Sequence, residues 1–158
     1  MGTTILLCGN SEKEQLAARI GAAAKAFHKI RIASKQEPFM CYFSSDTWGD
    51  EWNGWWVLEE LKRREVPFHR IHSEPAAGHT VDEVRRLLEV FPGSHTYVAA
   101  TNRYHVPRVC FWIARMLKAN KQQARVEFAA AQGGEHIRTY LREVRSWADV
   151  LIHGAQVY

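Results

Sequence analysis

The chain has 158 residues, of which 46% are hydrophobic and 24% charged, as is usual for one folded domain. Its three cysteines form no CxxC pair and its apolar runs are far shorter than the roughly 20 residues that span a bilayer, which argues against structural zinc, disulfides and a membrane span and favours a cytoplasmic protein. The net charge of +4 favours small anionic partners, but the absence of long basic blocks argues against nucleic acid as the main partner.

Short apolar runs alternate with longer amphipathic segments along the chain. The apolar runs predict five strands, at residues 3–8, 39–44, 68–72, 96–101 and 125–131. The amphipathic segments predict five helices, at residues 11–27, 52–65, 80–91, 107–117 and 137–151. This alternation predicts a single three-layer α/β domain over residues 1–158, with a mainly parallel sheet covered by helices on both faces.

Local sequence signals predict where three of the helices begin. Ser11 with Glu14, and Thr80 with Glu83, have the spacing of a capping box, in which the two side chains close the first helical turn. Pro107 is typical of the first turn of a helix because its missing N–H is not needed there. The fourth strand is therefore predicted to turn directly into the helix that follows it.

In an open parallel sheet, ligands bind outside the carboxyl ends of the strands, so the loops at those ends form the candidate site. The loop residues that are predicted to bind the ligand are Gly9, Asn10, Ser44, Ser45, Asp46, Thr80, Asp82, Thr101, Asn102, Tyr104 and Arg108. His105 and Glu74 lie in the same loops and are the candidate catalytic residues.

The loop after the fourth strand carries the most polar groups. Arg108 falls in a first helical turn, where a guanidinium and free backbone N–H groups suit a phosphate or a carboxylate. His105 could donate to the same anion or transfer a proton near neutral pH. Glu74 could act as a general base, bind a ribose hydroxyl or pair with Arg108. The alternative is an ordinary basic turn in which Arg108 pairs with a nearby acid such as Glu74 or Asp82.

Several common nucleotide and hydrolase motifs do not occur. The first loop, CGNSEKEQ, has one glycine and matches neither the dinucleotide-binding GxGxxG pattern nor the P-loop GxxxxGK[ST] pattern. The hydrolase elbow GxSxG is missing as well. Cys8 is predicted to be a buried core residue rather than a nucleophile. The histidines lack a metal-ligand spacing, so no metal site is predicted.

Two motifs together resemble one known family. ATNRYHVPRV, residues 100–109, is similar to the V-T-S-x-Y-H-x-x-R-A motif of the YdcF-like family, also called the SanA/ElyC-like domain of unknown function. GHTVDEV, residues 78–84, resembles the S-x-N-T-x-E-N helix start of that family, and the resemblance extends over residues 3–131. It implies a bacterial protein with a Rossmann-like fold, whose pocket at the strand carboxyl ends binds S-adenosylmethionine or another nucleotide.

The resemblance carries over to individual polar positions, which are Glu74, Thr80, Asp82, Thr101, Tyr104, His105 and Arg108. Several positions depart from the family: His79 and Glu83 replace asparagines, and Ala77 replaces a serine. The Ser-Gly-Gly of the family after the second strand appears as Ser44-Ser45-Asp46, its acid that opens the next helix falls at Asn53, and its glycine-rich first loop is reduced to Gly9. A methyltransferase would carry a glycine-rich first loop, so methyl transfer is not predicted.

The sequence therefore predicts a protein that binds a small anionic or nucleotide-like molecule, with hydrolysis or transfer at a phosphate-bearing substrate as the reaction if it is an enzyme. In this interpretation Arg108 holds the anion, and Thr101, Asn102 and Ser45 orient the ligand. Two alternatives stay open at this point: a non-catalytic module that senses the ligand or docks a protein, and a protein that binds nucleic acid through its basic surface.

Overall fold

A computed structural model describes residues 2–10, 12–44, 51–75, 79–133 and 137–153. The strands in these residues are β1 (Thr3–Leu7), β2 (Phe39–Ser44), β3 (Ile71–Pro75), β4 (Thr96–Asn102) and β5 (Arg125–Ala131). The helices are α1 (Lys13–Ser34), α2 (Glu51–Arg63), α3 (Thr80–Val90), α4 (Val106–Ala119) and α5 (Ile137–His153). None of the helices in the described part of the chain combines the length and apolar composition that crossing a membrane requires.

The strands form one parallel sheet in the order β3-β2-β1-β4-β5. β1 lies at its centre, with Ile5 opposite Met40 of β2 on one side and Val98 of β4 on the other. The chain runs outward from β1 to β3 and then crosses back to β4, so the strand order reverses between β1 and β4. The predicted α/β fold class is confirmed, and the carboxyl ends of β1 and β4 lie side by side.

Apolar side chains form one core on each face of the sheet, because successive strand residues point to opposite faces. On one face Ile5 belongs to a cluster with α1 and α2 residues such as Leu16. On the other face Leu6 belongs to a cluster with Leu87 of α3 and Ile113 of α4. Helices α1 and α2 therefore cover one face, and α3 and α4 cover the other.

The first helix is longer than predicted. It continues to Ser34 rather than ending near Phe27, because residues 28–34 contain no proline or glycine and Ile30 still packs against the core. Lys35 then ends the helix in the left-handed conformation, at φ 54°.

The prediction of a third strand at residues 68–72 is wrong over its first half. Phe68–Arg70 form a 3₁₀ turn, and β3 begins only at Ile71. The Arg70 N–H donates to the Pro67 carbonyl at 2.9 Å, which closes this turn before the strand begins. The apolar pattern of residues 68–72 is that of a strand, but the first three of these residues form the turn that leads into β3.

The starts of α1 and α4 match the predictions differently. Ser11 lies outside the described residues, and the N-cap of α1 is Glu12, whose side chain makes no capping hydrogen bond. The fourth helix begins at Val106 with Pro107 in its first turn, as predicted.

The predicted capping box of α3 is wrong. Its N-cap is His79, which makes no side-chain capping bond. The Thr80 hydroxyl bonds to the ring of His105, and the Glu83 carboxylate accepts a hydrogen bond from the Gly9 N–H. Both side chains of the box are used in tertiary contacts because α3 begins against the loops that follow β1 and β4.

The last helix packs beside α4 along part of its length. The Trp147 ring meets Phe111 edge-on with the centroids 5.5 Å apart, and Glu143 reaches Arg108. Its other apolar side chains of helical spacing, Leu141 and Val144, are largely exposed.

Candidate functional site

The candidate site lies where the strand order reverses. Gly9 and Asn10 follow β1, and Asn102 ends β4 beside them. The Cys8 N–H donates to the carbonyl of Ala100 at 3.1 Å, which carries the pairing of the two strands one residue past β1. Loops from β1 and β4 therefore open at the same point of the sheet edge.

His105 is held between two threonine hydroxyls in the turn that follows β4. Its Nδ1 lies 2.9 Å from the Thr101 Oγ1 atom, and its Nε2 lies 3.1 Å from that of Thr80. The residue is 5% exposed, and this burial, together with the charges of Arg19 and Arg108, holds the pKa of the imidazole well below its ordinary value. A neutral imidazole needs one donor and one acceptor, and hydroxyls can supply both. Its observed role is to join β4 to α3.

Arg19 is the central charged group of the site, although sequence reasoning did not single it out. It stands on α1 and is 2% exposed. Its Nε donates to the Asn102 Oδ1 atom at 2.6 Å, and its Nη1 donates to the carbonyls of Gly9 and Cys8 at 2.5 and 3.3 Å. Its Nη2 lies 3.3 Å from the Tyr104 hydroxyl. One guanidinium thus fixes the ends of β1 and β4 relative to each other.

Glu83 reaches the same loop from the other face of the sheet. Its Oε1 atom accepts a hydrogen bond from the Gly9 N–H at 2.8 Å. A Cβ atom on residue 9 would lie 3.2 Å from this oxygen, so a larger residue there would require the Glu83 side chain to shift by a few tenths of an ångström. Burial raises the pKa of the Glu83 carboxyl, whereas the hydrogen bond from the Gly9 N–H and the charges of Arg19 and Arg108 lower it. The net pKa is about 7.

Arg108 has a different partner from the two acids that the sequence suggested. Its Nε and Nη2 atoms donate to the two carboxylate oxygens of Glu143 on α5, at 2.8 and 3.1 Å. The alternative in which Arg108 pairs with Glu74 or Asp82 is therefore wrong in its choice of acid: Asp82 pairs with Arg85 on its own helix at 3.1 Å. A bidentate pair with a carboxylate that is 7% exposed fixes the guanidinium at the start of α4.

Glu74 lies on β3, the outermost strand, and not next to His105. Its carboxylate forms a bidentate pair with Arg86 of α3 and lies 3.2 Å from the His72 Nε2 atom. The hydrogen bond from Arg86 is the main cause that lowers the pKa of Glu74. Three strand spacings of about 4.8 Å, roughly 14 Å in all, separate β3 from β4. The two candidate catalytic residues therefore belong to different parts of the edge.

A third polar group connects α1 to the turn after β4. The Gln15 Oε1 atom accepts hydrogen bonds from the Tyr104 hydroxyl at 2.5 Å and from the Asn10 Nδ2 atom at 2.9 Å. The Tyr104 ring also stacks on His105, with the centroids 6.4 Å apart. Asn10, Asn102 and Tyr104 are thus brought together as predicted, through side chains of α1.

The remaining predicted residues contribute less to this arrangement. Ser44 ends β2, with its backbone paired to Pro75, while Ser45 and Asp46 lie outside the described residues. Cys8 is fully buried in the core and burial raises the pKa of its thiol, as expected for a packing residue. Within the described ranges, no three His, Cys, Asp or Glu side chains cluster as metal ligands.

Two of the residues that the sequence analysis missed carried a readable signal. Arg19 falls between Leu16 and Ile20 on the apolar face of α1, and a charged residue at such a position indicates a buried partner. Glu83 shares the inner face of α3 with Leu87. The role of Glu143 could not be read in this way, because its partner depends on how α5 packs.

The comparisons with known proteins bear on the fold. No protein-family model matches the chain, and no curated protein matches its sequence significantly. The structure of a universal stress protein in complex with cAMP is similar, with a TM-score of 0.52 at 16% identity over 83% of this chain and 98% of that one. At this identity the similarity shows a shared Rossmann-like α/β fold.

Proposed function

We propose that the protein binds a small anionic, nucleotide-like ligand at the carboxyl ends of β1 and β4. The observation that carries the proposal is the reversal of the strand order between these two strands, because open α/β sheets bind ligands in the crevice at such a point. The polar side chains of Asn10, Asn102 and Tyr104 meet there.

The charges around the crevice favour an anion. Arg19 and Arg108 place two guanidinium groups beside the loops, and Glu143 pairs with only the second of them. Arg19 donates to neutral groups, which are the carbonyls of Gly9 and Cys8 and the side chains of Asn102 and Tyr104. Among the described residues, no carboxylate forms a salt bridge with it. Positive potential in a concave, partly buried site attracts anionic ligands.

Two resemblances support the ligand class. The universal stress protein with the similar fold is complexed with cAMP, which is a nucleotide. The motifs at residues 78–84 and 100–109 resemble the YdcF-like family, for which S-adenosylmethionine or another nucleotide is the implied ligand. We propose membership of that family and a cytoplasmic location together with the ligand class.

The geometry favours binding over chemistry. A general acid or base must reach the substrate, whereas His105 is 5% exposed and both its ring nitrogens face threonine hydroxyls. Glu74 lies on β3, three strand positions away from β4, and is paired with Arg86 of α3. We therefore propose a ligand-sensing protein in preference to a hydrolase or transferase acting on a phosphate-bearing substrate.

Calorimetric titration with cAMP, ATP and S-adenosylmethionine tests the proposal. We expect at least one of the three to bind, and Asn10→Ala and Tyr104→Phe to weaken its binding about tenfold through loss of one hydrogen bond each. Asn120→Ala, at the exposed end of α4 on the opposite edge, is the matched control and should bind as the wild type does. Binding of none of the three ligands, or equal affinity in all variants, would contradict the proposal.

A further inference from the structure

The Gly9 peptide is held by two charged side chains from opposite faces of the sheet. Arg19 of α1 donates to the Gly9 carbonyl, and Glu83 of α3 accepts from the Gly9 N–H. Gly9 is also the first residue of the loop that opens into the proposed crevice. A change of charge at Arg19 or Glu83 therefore acts directly on the Gly9 peptide in the loop after β1.

The Glu83 carboxylate is buried, and no cation among the described residues is paired with it. The residue is 6% exposed, and its hydrogen-bond partner is a neutral backbone N–H. None of the ion pairs among the described residues includes it, in contrast to Glu143, which has a bidentate arginine partner at similar burial. A buried carboxylate without a paired cation tends to be neutralised by a proton.

Groups from all the surrounding elements act on this carboxylate. The charged and titratable ones are Arg19 of α1, Arg108 of α4, Asp82 of α3, Cys8 after β1 and Cys41 of β2. Burial has the largest effect and raises the pKa of Glu83, while both arginines lower it, and the net pKa is about 7. His105 adds no positive charge, because its own pKa is held well below the ordinary value. The balance of these effects places the titration of Glu83 near neutrality.

We propose that Glu83 takes up a proton from solvent when an anion binds beside Gly9, so that ligand binding at this site is coupled to pH. This inference rests on the proposed function. With Glu83 ionised, a bound anion meets a neighbouring negative charge. With Glu83 protonated, the charge of Arg19, which contacts Gly9, attracts the anion without that opposition. Linkage is reciprocal, so an anion that binds more tightly to the protonated site also raises the affinity of Glu83 for its proton.

Thermal unfolding without ligand tests the titration of Glu83 by itself. A carboxyl whose pKa is raised in the folded state contributes stability that is complete below its unfolded pKa and is lost as the pH rises through the folded value. We expect the Tm of Glu83→Gln to equal that of the wild type near pH 4.5 and to exceed it by roughly 6–12 °C at pH 8.5. Glu89→Gln, an exposed acid on the same helix, should show no such divergence.

The difference between variant and wild type is the quantity to compare, because His105 titrates in the same range with the opposite sign. Its lowered pKa makes the folded protein lose stability as the pH falls below the ordinary value, in both proteins alike. A direct measurement needs no variant: the Gly9 amide proton, bonded to Glu83, should shift with a midpoint near pH 7 in NMR spectra of the wild type. A Gly9 signal that does not titrate between pH 5 and 9 would overturn the proposal.

Calorimetry with cAMP as the probe then tests the coupling. We expect the affinity of the wild type to fall above pH 7, by up to about tenfold for each pH unit, and that of Glu83→Gln to be independent of pH. Titrations at pH 7.5 in buffers of different ionisation enthalpy should show proton uptake in the wild type and none in the variant. Binding of cAMP that does not depend on pH would refute the coupling alone. If cAMP does not bind at any pH, the same titrations use whichever of ATP and S-adenosylmethionine binds. Failure of all three ligands would reject both the proposed function and the coupling, while the ligand-free measurements still report on the titration of Glu83.

Discussion

Two carboxylates at the same edge of the sheet, Glu83 and Glu74, lie in opposite environments. Glu83 is buried beneath the loop between β1 and α1 and accepts a backbone hydrogen bond. Glu74 stands on the outermost strand, half-buried, in a bidentate pair with Arg86. The pKa of Glu83 is raised by burial, while that of Glu74 is lowered chiefly by its arginine. Desolvation dominates at the first site and pairing at the second.

The two carboxylates mark two parts of the sheet edge. Buried charged side chains lie at the ends of β1 and β4, whereas an exposed salt bridge lies at the end of β3. The Glu83 carboxyl moves from a reference value of 4.5 to about 7, which corresponds to roughly 3 kcal/mol of folding free energy that is lost above neutral pH. Perturbed pKa values of this kind are enriched at functional sites, although structural charge networks shift pKa values as well. The edge at Glu74 shows no comparable cost.

The largest effect is expected from Arg19→Met, which removes the positive charge from the buried part of the edge. The carbonyls of Gly9 and Cys8 and the side chain of Asn102 would lose their charged donor. We expect the free energy of unfolding to fall by roughly 3–5 kcal/mol, as measured by urea denaturation.

Lys29→Met, an exposed position on the same helix, is the control and should change stability by about 0.5 kcal/mol or less. A similar small effect of Arg19→Met would mean that the buried network does not hold the loops and would remove the contrast with the Glu74 side.

A smaller effect is expected from Arg108→Ala, which leaves the buried Glu143 carboxylate without its partner. Breaking one member of a buried pair costs roughly 3 kcal/mol, whereas replacing both by apolar residues costs much less. We therefore expect the double variant Arg108→Met/Glu143→Leu to be clearly more stable than Arg108→Ala in the same denaturation assay. Equal losses in the two would indicate that the packing of α5, and not the charge pair, carries the effect.

The fold could be predicted from the sequence because it depends on local patterns. Apolar runs of strand length alternate with amphipathic helices, and this order alone leads to a parallel sheet. The exception, residues 68–72, has the apolar composition of a strand, but Pro67 precedes it and the chain turns before β3 begins. The capping box at Thr80 and Glu83 failed for a related reason, since tertiary partners outcompeted the local ones.

The meeting of polar side chains at the carboxyl ends of β1 and β4 could be predicted, but the contacts that hold them there could not. The rule for parallel sheets brought Asn10, Asn102 and Tyr104 to one place, as the structure shows. The groups that hold them come from helices far away in sequence: Arg19 lies 83 residues from Asn102, and Glu143 lies 35 residues from Arg108. Such contacts depend on how each helix is rotated and packed against the sheet, which no local spacing records.

The smallest effect is expected from Glu74→Gln, which breaks the surface pair. Because Arg86 is largely solvent-exposed, water and salt screen the pair, and we expect a decrease in Tm of about 1–2 °C at pH 7. The lowered pKa of Glu74 means that the stabilisation is present above its unfolded value and is lost as the pH falls through the folded value, so wild type and Glu74→Gln should converge in acid. Glu83→Gln should also converge with the wild type in acid, but above pH 7 it should be the more stable protein. Melting curves of both variants from pH 4 to 8.5 would therefore differ from the wild type in opposite directions at high pH, and differences of the same sign would show that the two carboxylates do not belong to different electrostatic environments.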